Sequence, residues 1–293
     1  MRLYDDIFVS GDRAVARSYA KINLTLDVIS RRENGYHDVK MIMQTLSLFD
    51  LVIVDKDKTI SVSTNIKSLP TNEKNIAWKA AKLFFDETGI SSGAKILIHK
   101  NIPIAAGLAG GSGNAAAVLC ALDRLYNTSL SLEKLLKMGE KLGADVPFCI
   151  LGGTVLAEGI GEIMTEITPI KKTDILLVKP PVSVSTQKIY EAIDSHTDLK
   201  HPDTDGMISA IDDGDLDKIS QKLSNIMEDV TVLEAPEILK IKEKLLKIGA
   251  KGALMSGSGP TVYGIFENFE TAKKAHDEFS KEYKETFLTK TYN

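Results

Sequence analysis

Between residues 103 and 114 the chain reads PIAAGLAGGSGN, with four glycines and three alanines in twelve residues. Upstream, AKILIHK alternates as a strand does, and downstream NAAAVLCALDRLYN carries apolar residues at helical spacing. A strand that runs through such a segment into a helix has few structures open to it. Glycine permits tight turns and a close approach of backbone N–H groups to a ligand. The first turn of the helix beyond adds unpartnered N–H donors and the positive end of the helix dipole, a combination that favours a phosphate. Neither common phosphate-binding pattern is present. There is no G-x-x-x-x-G-K-[ST], and Gly107 is followed by Leu108, Ala109 and Gly110, which breaks G-x-G-x-x-G. A Gly/Ala-rich turn that only lets a helix pack closely on a sheet accounts for the same residues, and on this segment alone the two readings are level.

Composition narrows the class. The chain has 293 residues, 36 Lys+Arg and 40 Asp+Glu, a net charge of −4. At about 150 residues per domain this length predicts two domains or one large one. With 43% hydrophobic and 26% charged residues, disordered and fibrous classes are excluded. Mild acidity gives no general attraction for nucleic acid or anionic lipid, leaving room only for a local basic pocket for a phosphorylated small molecule. No apolar stretch approaches the ~20 residues needed to span a bilayer. The start, MRLYDDIFVSGDR, resembles neither a secretory signal nor a typical transit peptide. Cys120 and Cys149 sit among apolar neighbours, as buried thiols do, and not in a disulfide pattern. His37, His99, His196, His201 and His276 form no cluster of zinc spacing. The expectation is a cytoplasmic enzyme with no nucleic-acid or membrane partner, a monomer or homodimer.

Along the chain, AVARSYAKINLTLDVI alternates as one or two strands, Asn34-Gly35 marks a turn, and VKMIMQTLSLFDLVIV returns as strand. NIAWKAAKLFFDE and SLEKLLKMGEKLG have helical spacing, the first stopped by Gly89 and the second opened by Ser131. After a small-residue stretch at 152–161 come a strand, DILLVKP, and helical runs TQKIYEAI, LDKISQKLSNIM and PEILKIKEKLLKIG. GALMSGSGPTVYGIF follows as strand, tight loop, strand, and TAKKAHDEFSKEY as a closing helix. The pattern predicts two α+β domains, 1–157 and 158–293.

Several residues carry chemistry that is ambiguous when each is taken singly. Asp145, in GADVPF between a helix end and an expected strand, suits a turn or capping aspartate as well as a base. Val146 precedes Pro147 and is thereby biased towards an extended conformation. Lys21 suits a solvated strand lysine. Tyr36 and His37, following the Asn34-Gly35 turn, suit a packed turn aromatic and a solvent-facing histidine, or a ring and an edge that hold a heterocycle. Asn23 lies two residues from Lys21 on the same strand face, as a ligand-binding or a structural amide.

PIAAGLAGGSGNAAA resembles the P-x-x-x-G-L-x-G-S-S-A type ATP loop of the GHMP kinases. YAKINLTL resembles the family's first motif, and LMSGSGPTVYGIF its glycine-rich third motif, in the family's order. The resemblance spans roughly Ala16 to Phe266 and implies a two-domain α+β kinase with its active site in the cleft between domains. It implies ATP as phosphoryl donor, with Mg²⁺ held largely by phosphates and water. It makes Asp145 the catalytic base and Lys21 the cation that offsets charge on the acceptor oxygen. Pro103, Ile104, Ala105, Ala106, Gly107, Leu108, Ala109, Gly110, Gly111, Ser112 and Gly113 then form the ATP loop, and Lys100 and Asn75 are candidates for the adenosine side. Where relatives commonly show Ser-Ser in that loop, this chain has Ser112-Gly113. The N–H survives that change and a hydroxyl is lost, so metal ligands cannot be assigned.

AKINLTLDVISRRENGYHDVKMIMQTLSLFD and LGADVPFCILGGT closely resemble one branch of the family. That branch phosphorylates the 2-hydroxyl of 4-diphosphocytidyl-2-C-methyl-D-erythritol in the non-mevalonate route to isoprenoids. The resemblance implies that Tyr36 and His37 hold the cytosine, with Tyr190 as a second aromatic. Asn23 and the third-motif residues Gly257, Ser258 and Gly259 then face the polyol or phosphate. A kinase of the mevalonate or homoserine type would give Tyr36, His37 and Tyr190 nothing to bind, and a silent binding relative would have no need of Lys21, Asp145 and the loop together.

Overall fold

The computed structural model describes residues 3–196 and 199–293. Contacts divide the chain into two compact units, one of Met1–Ala20, Leu48–Ile104 and Ala109–Gly152, the other of Lys21–Ser47, Ala105–Leu108 and Gly153–Asn293. Both mix helix and strand. The chain passes between them within two long strands and on either side of residues 105–108.

In the first unit, β1 (Phe8–Ser10) pairs antiparallel with the start of β2 (Arg13–Arg31). β4 (Ser61–Thr64) runs parallel to β5 (Gly93–His99), and β5 pairs antiparallel with the end of β3 (His37–Asp57), Leu51 opposite His99. Along β5, Ala94, Ile96 and Ile98 are buried while Lys95, Leu97 and His99 are exposed, the period-two signature of a sheet covered on one face. The cover is helical. α1 (Ile76–Thr88) begins at the Asn75 cap, whose Oδ1 accepts from Ala77 N, and stops at Gly89 in the left-handed region. α2 (Gly110–Tyr126) is buried on most of its surface, from Asn114 through Asp123, and its alanines let α1 lie close against it. Cys120 is fully buried there, and burial pushes its thiol well up from its ordinary value. Cys120 and Cys149 are not joined in a disulfide.

α3 (Leu132–Glu140) opens on Ser131, whose hydroxyl accepts from Lys134 N. α4 (Val146–Leu151) departs from expectation, because the segment after Asp145 is a short helix and not a strand. Pro147 falls in its first turn, where a helix has no use for the missing N–H, and Phe148 and Ile150 are buried.

The second unit holds β6 (Thr154–Glu158), which pairs antiparallel with Met41–Gln44 of β3 and with β7 (Ile163–Glu166). β6 falls within the small-residue stretch at 152–161, and β7 just beyond it. A four-stranded antiparallel sheet follows the order β10 (Gly252–Met255), β11 (Val262–Phe266), β8 (Asp174–Lys179), β12 (Glu285–Lys290). α9 (Glu237–Ile248) packs on β10 and β11, and α10 (Phe269–Phe279) on β8 and β12. α5 (Thr186–Ser195) and α6 (Thr204–Asp212) precede α7 (Leu216–Lys222). The helical run after Leu216 is broken at β9 (Ser224–Asn225), where Asn225 caps α8 (Ile226–Glu234) by accepting from Met227 N at 3.0 Å. No helix among the described residues is long and apolar enough to cross a membrane.

Beneath the start of α2 lies a closed polar network. Asp50, fully buried, accepts from Asn101 N (2.7 Å), Ile102 N (2.8 Å), Asn114 Nδ2 (2.9 Å) and the Lys100 ammonium. Lys100 Nζ also donates to Asn114 Oδ1 at 3.0 Å, and Asn114 Nδ2 to Ser18 Oγ at 3.0 Å. A buried charge left without its partner is strongly destabilising, so this pair fixes where the residues before α2 sit relative to its first turns. The same contact explains Gly113. A Cβ there would meet Ser18 Oγ at 2.6 Å and Tyr19 O at 3.3 Å, both closer than packing allows. Gly113→Ala is expected to lose roughly 1–3 kcal/mol, the range for overpacking. In urea titrations Ser18→Ala, which removes the obstructing oxygen, should make the double variant's loss smaller than the sum of the two single losses; strict additivity would contradict the steric explanation.

Candidate active site

Lys21 stands on β2 and is 4% exposed, so it is no solvated strand lysine. Its ammonium donates to Asn23 Oδ1 at 2.7 Å, two residues along the same strand face. Asn23 is fully buried, and the same Oδ1 accepts from Gly257 N at 3.0 Å. Its backbone carbonyl accepts from Tyr263 Oη at 2.8 Å. Burial, with the Glu228 carboxylate second, pushes that phenol well above its ordinary value, which keeps it a donor. One amide thus ties Lys21 to the loop between β10 and β11.

That loop is pinned from other directions. Asn225 Nδ2 donates to Met255 O (2.9 Å) and Gly257 O (2.8 Å), Gly259 N to Ser256 O (2.9 Å), and Ser256 Oγ to Gly107 O (2.9 Å). Ser258 shares a hydrogen bond with Thr186 at 2.7 Å. Gly107 is required at its position on two grounds. Its φ is +72°, and a Cβ would lie 2.1 Å from Ser256 O. Leu108 O in turn accepts from Lys21 N at 3.2 Å. Residues 105–108, the strand bearing Lys21 and the third-motif loop are therefore hydrogen-bonded into one body.

From Leu108 the chain enters α2 through Ala109, which caps the helix with φ +56° and offers no side-chain acceptor. Ala105 is also left-handed, at φ +49°. Non-glycine residues held there carry local strain, which the surrounding bonds must offset. No acidic side chain lies in the first turn of α2. Its leading N–H groups, those of Gly110, Gly111 and Ser112, precede the first intrahelical bond, Gly113 N to Ala109 O at 2.8 Å. Unobstructed N–H groups on a strained, glycine-bearing turn are chemically able to receive an anion. Pro103 and Ile104 lead into it directly.

The remaining candidates fall as follows. Asp145, half-buried, is the residue immediately before α4 and makes no capping bond to that helix. It belongs to the first unit and Lys21 to the second. Asn75 is the cap of α1, and its Nδ2 donates to Pro70 O at 2.7 Å, so its amide is engaged at both ends. The Lys100 ammonium is held by Asp50 and Asn114. His37 and Tyr190 are brought together, with ring centroids 4.5 Å apart and planes 19° from parallel, while Tyr36 is 61% exposed. His37 Nε2 is 2.8 Å from Asp194 Oδ1, and Arg31 Nη1 is 3.2 Å from Asp194 Oδ2. A cavity of about 200 Å³ opens beside them, lined by Arg31, His37, Asp194, His196 and His201 among others.

Sequence reasoning missed Asp50, Asn225 and Asp194. Nothing local marks Asp50 or Asn225, whose partners lie far along the chain. Asp194 had a signal, since it stands four residues beyond Tyr190 on an expected helix and so shares its face.

Known proteins resemble this chain over most of its length. The GHMP kinases N terminal domain model matches residues 75–153 and the GHMP kinases C terminal model residues 207–285. A protein of Lachnoclostridium phytofermentans named 4-diphosphocytidyl-2-C-methyl-D-erythritol kinase is 51% identical over 94% of this chain and 96% of its own. One of the same name from Alkaliphilus metalliredigens is 48% identical, over 94% and 96%. Among solved structures, a 4-(cytidine 5'-diphospho)-2C-methyl-D-erythritol kinase superposes with TM-score 0.81 at 28% identity, covering 95% of this chain and 100% of that one. Homoserine kinase from Cytophaga hutchinsonii superposes with TM-score 0.75 at 19% identity, over 97% and 96%, a likeness of fold. The chain belongs to the GHMP kinase family, among the relatives named 4-diphosphocytidyl-2-C-methyl-D-erythritol kinase.

Proposed function

We propose that this chain transfers the γ-phosphoryl group of ATP to the 2-hydroxyl of 4-diphosphocytidyl-2-C-methyl-D-erythritol, giving the 2-phosphate and ADP. The observation that carries the reading is the 51% identity, across nearly the whole of both chains, to a relative of that name. The mevalonate and homoserine kinases that share the fold do so at 15–19% identity and give no reason to prefer their substrates.

In this reading each group has a defined task. The first-turn N–H groups of α2 and the backbone of residues 105–108 receive the ATP phosphates. Mg²⁺ bound with ATP would supply positive charge over the transferring group, with no protein ligand assigned to it. Among the described residues no three His, Cys, Asp or Glu side chains form a group that could hold a metal ion. Asp145 accepts the proton of the attacking hydroxyl. Lys21, oriented by Asn23, offsets the negative charge that builds on the acceptor oxygen. The two residues belong to different units, so the reading requires both units to serve one reaction. Tyr36, His37 and Tyr190 take the cytosine. A base hydrogen-bonded edge to edge with His37 lies in the imidazole plane, and the Tyr190 ring, nearly parallel to that plane, extends over it. Asn23, Gly257, Ser258 and Gly259 border the polyol.

The test is ADP release from purified protein with Mg-ATP and the cytidylyl acceptor, run beside mevalonate and homoserine. Release that depends on the cytidylyl compound supports the reading, and release with another acceptor sinks the substrate assignment. Asp145→Asn is expected to lower turnover by roughly 10²–10⁴ while the protein stays folded, the range for loss of a general base. Tyr36→Ala should raise KM for the cytidylyl acceptor and leave KM for ATP unchanged; an equal change in both would remove Tyr36 from the base site.

A further inference from the structure

His37 does not stand alone against Tyr190. Its Nε2 lies 2.8 Å from Asp194 Oδ1, and the other carboxylate oxygen lies 3.2 Å from Arg31 Nη1. The His37 side chain is 8% exposed and that of Asp194 26%, so the pair is shielded enough to keep its geometry. Tyr190 and Asp194 lie four residues apart on α5 and therefore on one face of it. One short helix thus contacts the imidazole twice, with a ring against its face and a carboxylate at its edge.

The chemistry of that edge has a consequence for the opposite one. An ionised carboxylate can only accept a hydrogen bond, so it draws the imidazole proton to Nε2. In the neutral ring Nδ1 is then an acceptor, and among the described residues it has no protein partner. Arg31, paired with the far oxygen, keeps the carboxylate turned towards His37. Cytosine carries an amino group at C4, a donor, where uracil carries a carbonyl, an acceptor. An acceptor nitrogen fixed in the base plane bonds the first and opposes the second.

We propose that Asp194, supported by Arg31, is a positioning residue that sets acceptor specificity: by holding the proton of His37 on Nε2 it makes Nδ1 an acceptor that selects a 4-aminopyrimidine nucleotide over its 4-oxo counterpart. The inference rests on the reading that His37 meets the base, and goes beyond it by naming what sets the hydrogen-bonding sense of His37.

The experiment measures kcat and KM with the cytidylyl acceptor and with its uridylyl analogue, for wild type, Asp194→Asn and Arg31→Gln. An asparagine can accept from or donate to Nε2, so it keeps the contact and abolishes the choice of tautomer. Wild type should favour the cytidylyl compound. Asp194→Asn should lose about tenfold or more of that preference, the worth of one hydrogen bond exchanged for an opposed pair. The loss should appear as a change in KM for the acceptor, with KM for ATP unmoved. Arg31→Gln, at a side chain 61% exposed, should fold normally and show a smaller loss in the same sense, so the idea stays testable should Asp194→Asn fail to fold. Nitrogen-15 spectra of wild type at pH 8 should show His37 protonated on Nε2 and bare on Nδ1. An unchanged preference in both variants, an equal loss on both acceptors, or a proton on Nδ1 would overturn the proposal while leaving the kinase reading intact. A wild type that uses neither pyrimidine compound would overturn the kinase reading, and this inference with it.

Discussion

The amide of Asn23 is the contact on which the placement of Lys21 and of the third-motif loop depends. Its single oxygen receives both the Lys21 ammonium and the N–H of Gly257, and the residue is fully buried. A lysine side chain has four rotatable bonds and loses about 1.5–2 kcal/mol of conformational entropy when held in one place. Here the holding is done by an acceptor that is itself fixed, through its own carbonyl, to Tyr263 on β11. The arrangement converts a flexible cation into one with a defined position. Because Gly257 shares the acceptor, the third-motif loop and the ammonium move together or not at all. Ser256 extends the same body to Gly107, and Leu108 closes it back onto Lys21.

The first unit solves a related problem with different chemistry. A serine or aspartate at the cap of α2 would occupy its leading N–H groups. Ala109 leaves those donors unobstructed at the cost of left-handed strain. Support comes from beneath, where Asp50 gathers Lys100, Asn114 and two backbone N–H groups. The burial of that pair explains why Gly113 is glycine: α2 approaches Ser18 too closely for a side chain.

Features set by local chemistry were legible in the sequence. Asn75 and Gly89 bracket α1, Ser131 opens α3, and the glycine-bearing loop between β10 and β11 was visible from its alternating flanks. The body of α2 was legible from its apolar spacing, but the helix begins at Gly110, inside the glycine segment and four residues before the Asn114 that opens the apolar pattern. What escaped was of two kinds. The helix at Val146 was hidden because a residue before proline favours extended backbone in isolation, and packing of Phe148 and Ile150 outweighs that preference. The Asp50–Lys100 pair and the Asn225 clamp join residues separated by long loops, and no spacing rule connects them. Lys21 shows the limit of residue type as a guide: a lone strand lysine is usually solvated, and this one is buried because Asn23 and Gly257 stand beside it.

The most direct measurement is the single-turnover rate of phosphoryl transfer in Asn23→Ala, with Asn23→Asp as the variant that keeps an acceptor oxygen. Orientation of Lys21 by Asn23 predicts a fall of about 10²-fold in Asn23→Ala, the cost of misplacing a reacting group by about 1 Å. ATP affinity and the folded spectrum should be preserved, and Asn23→Asp should recover part of the rate. A folded Asn23→Ala variant that transfers phosphoryl at the wild-type rate would contradict the account, because Lys21 would then need no holding.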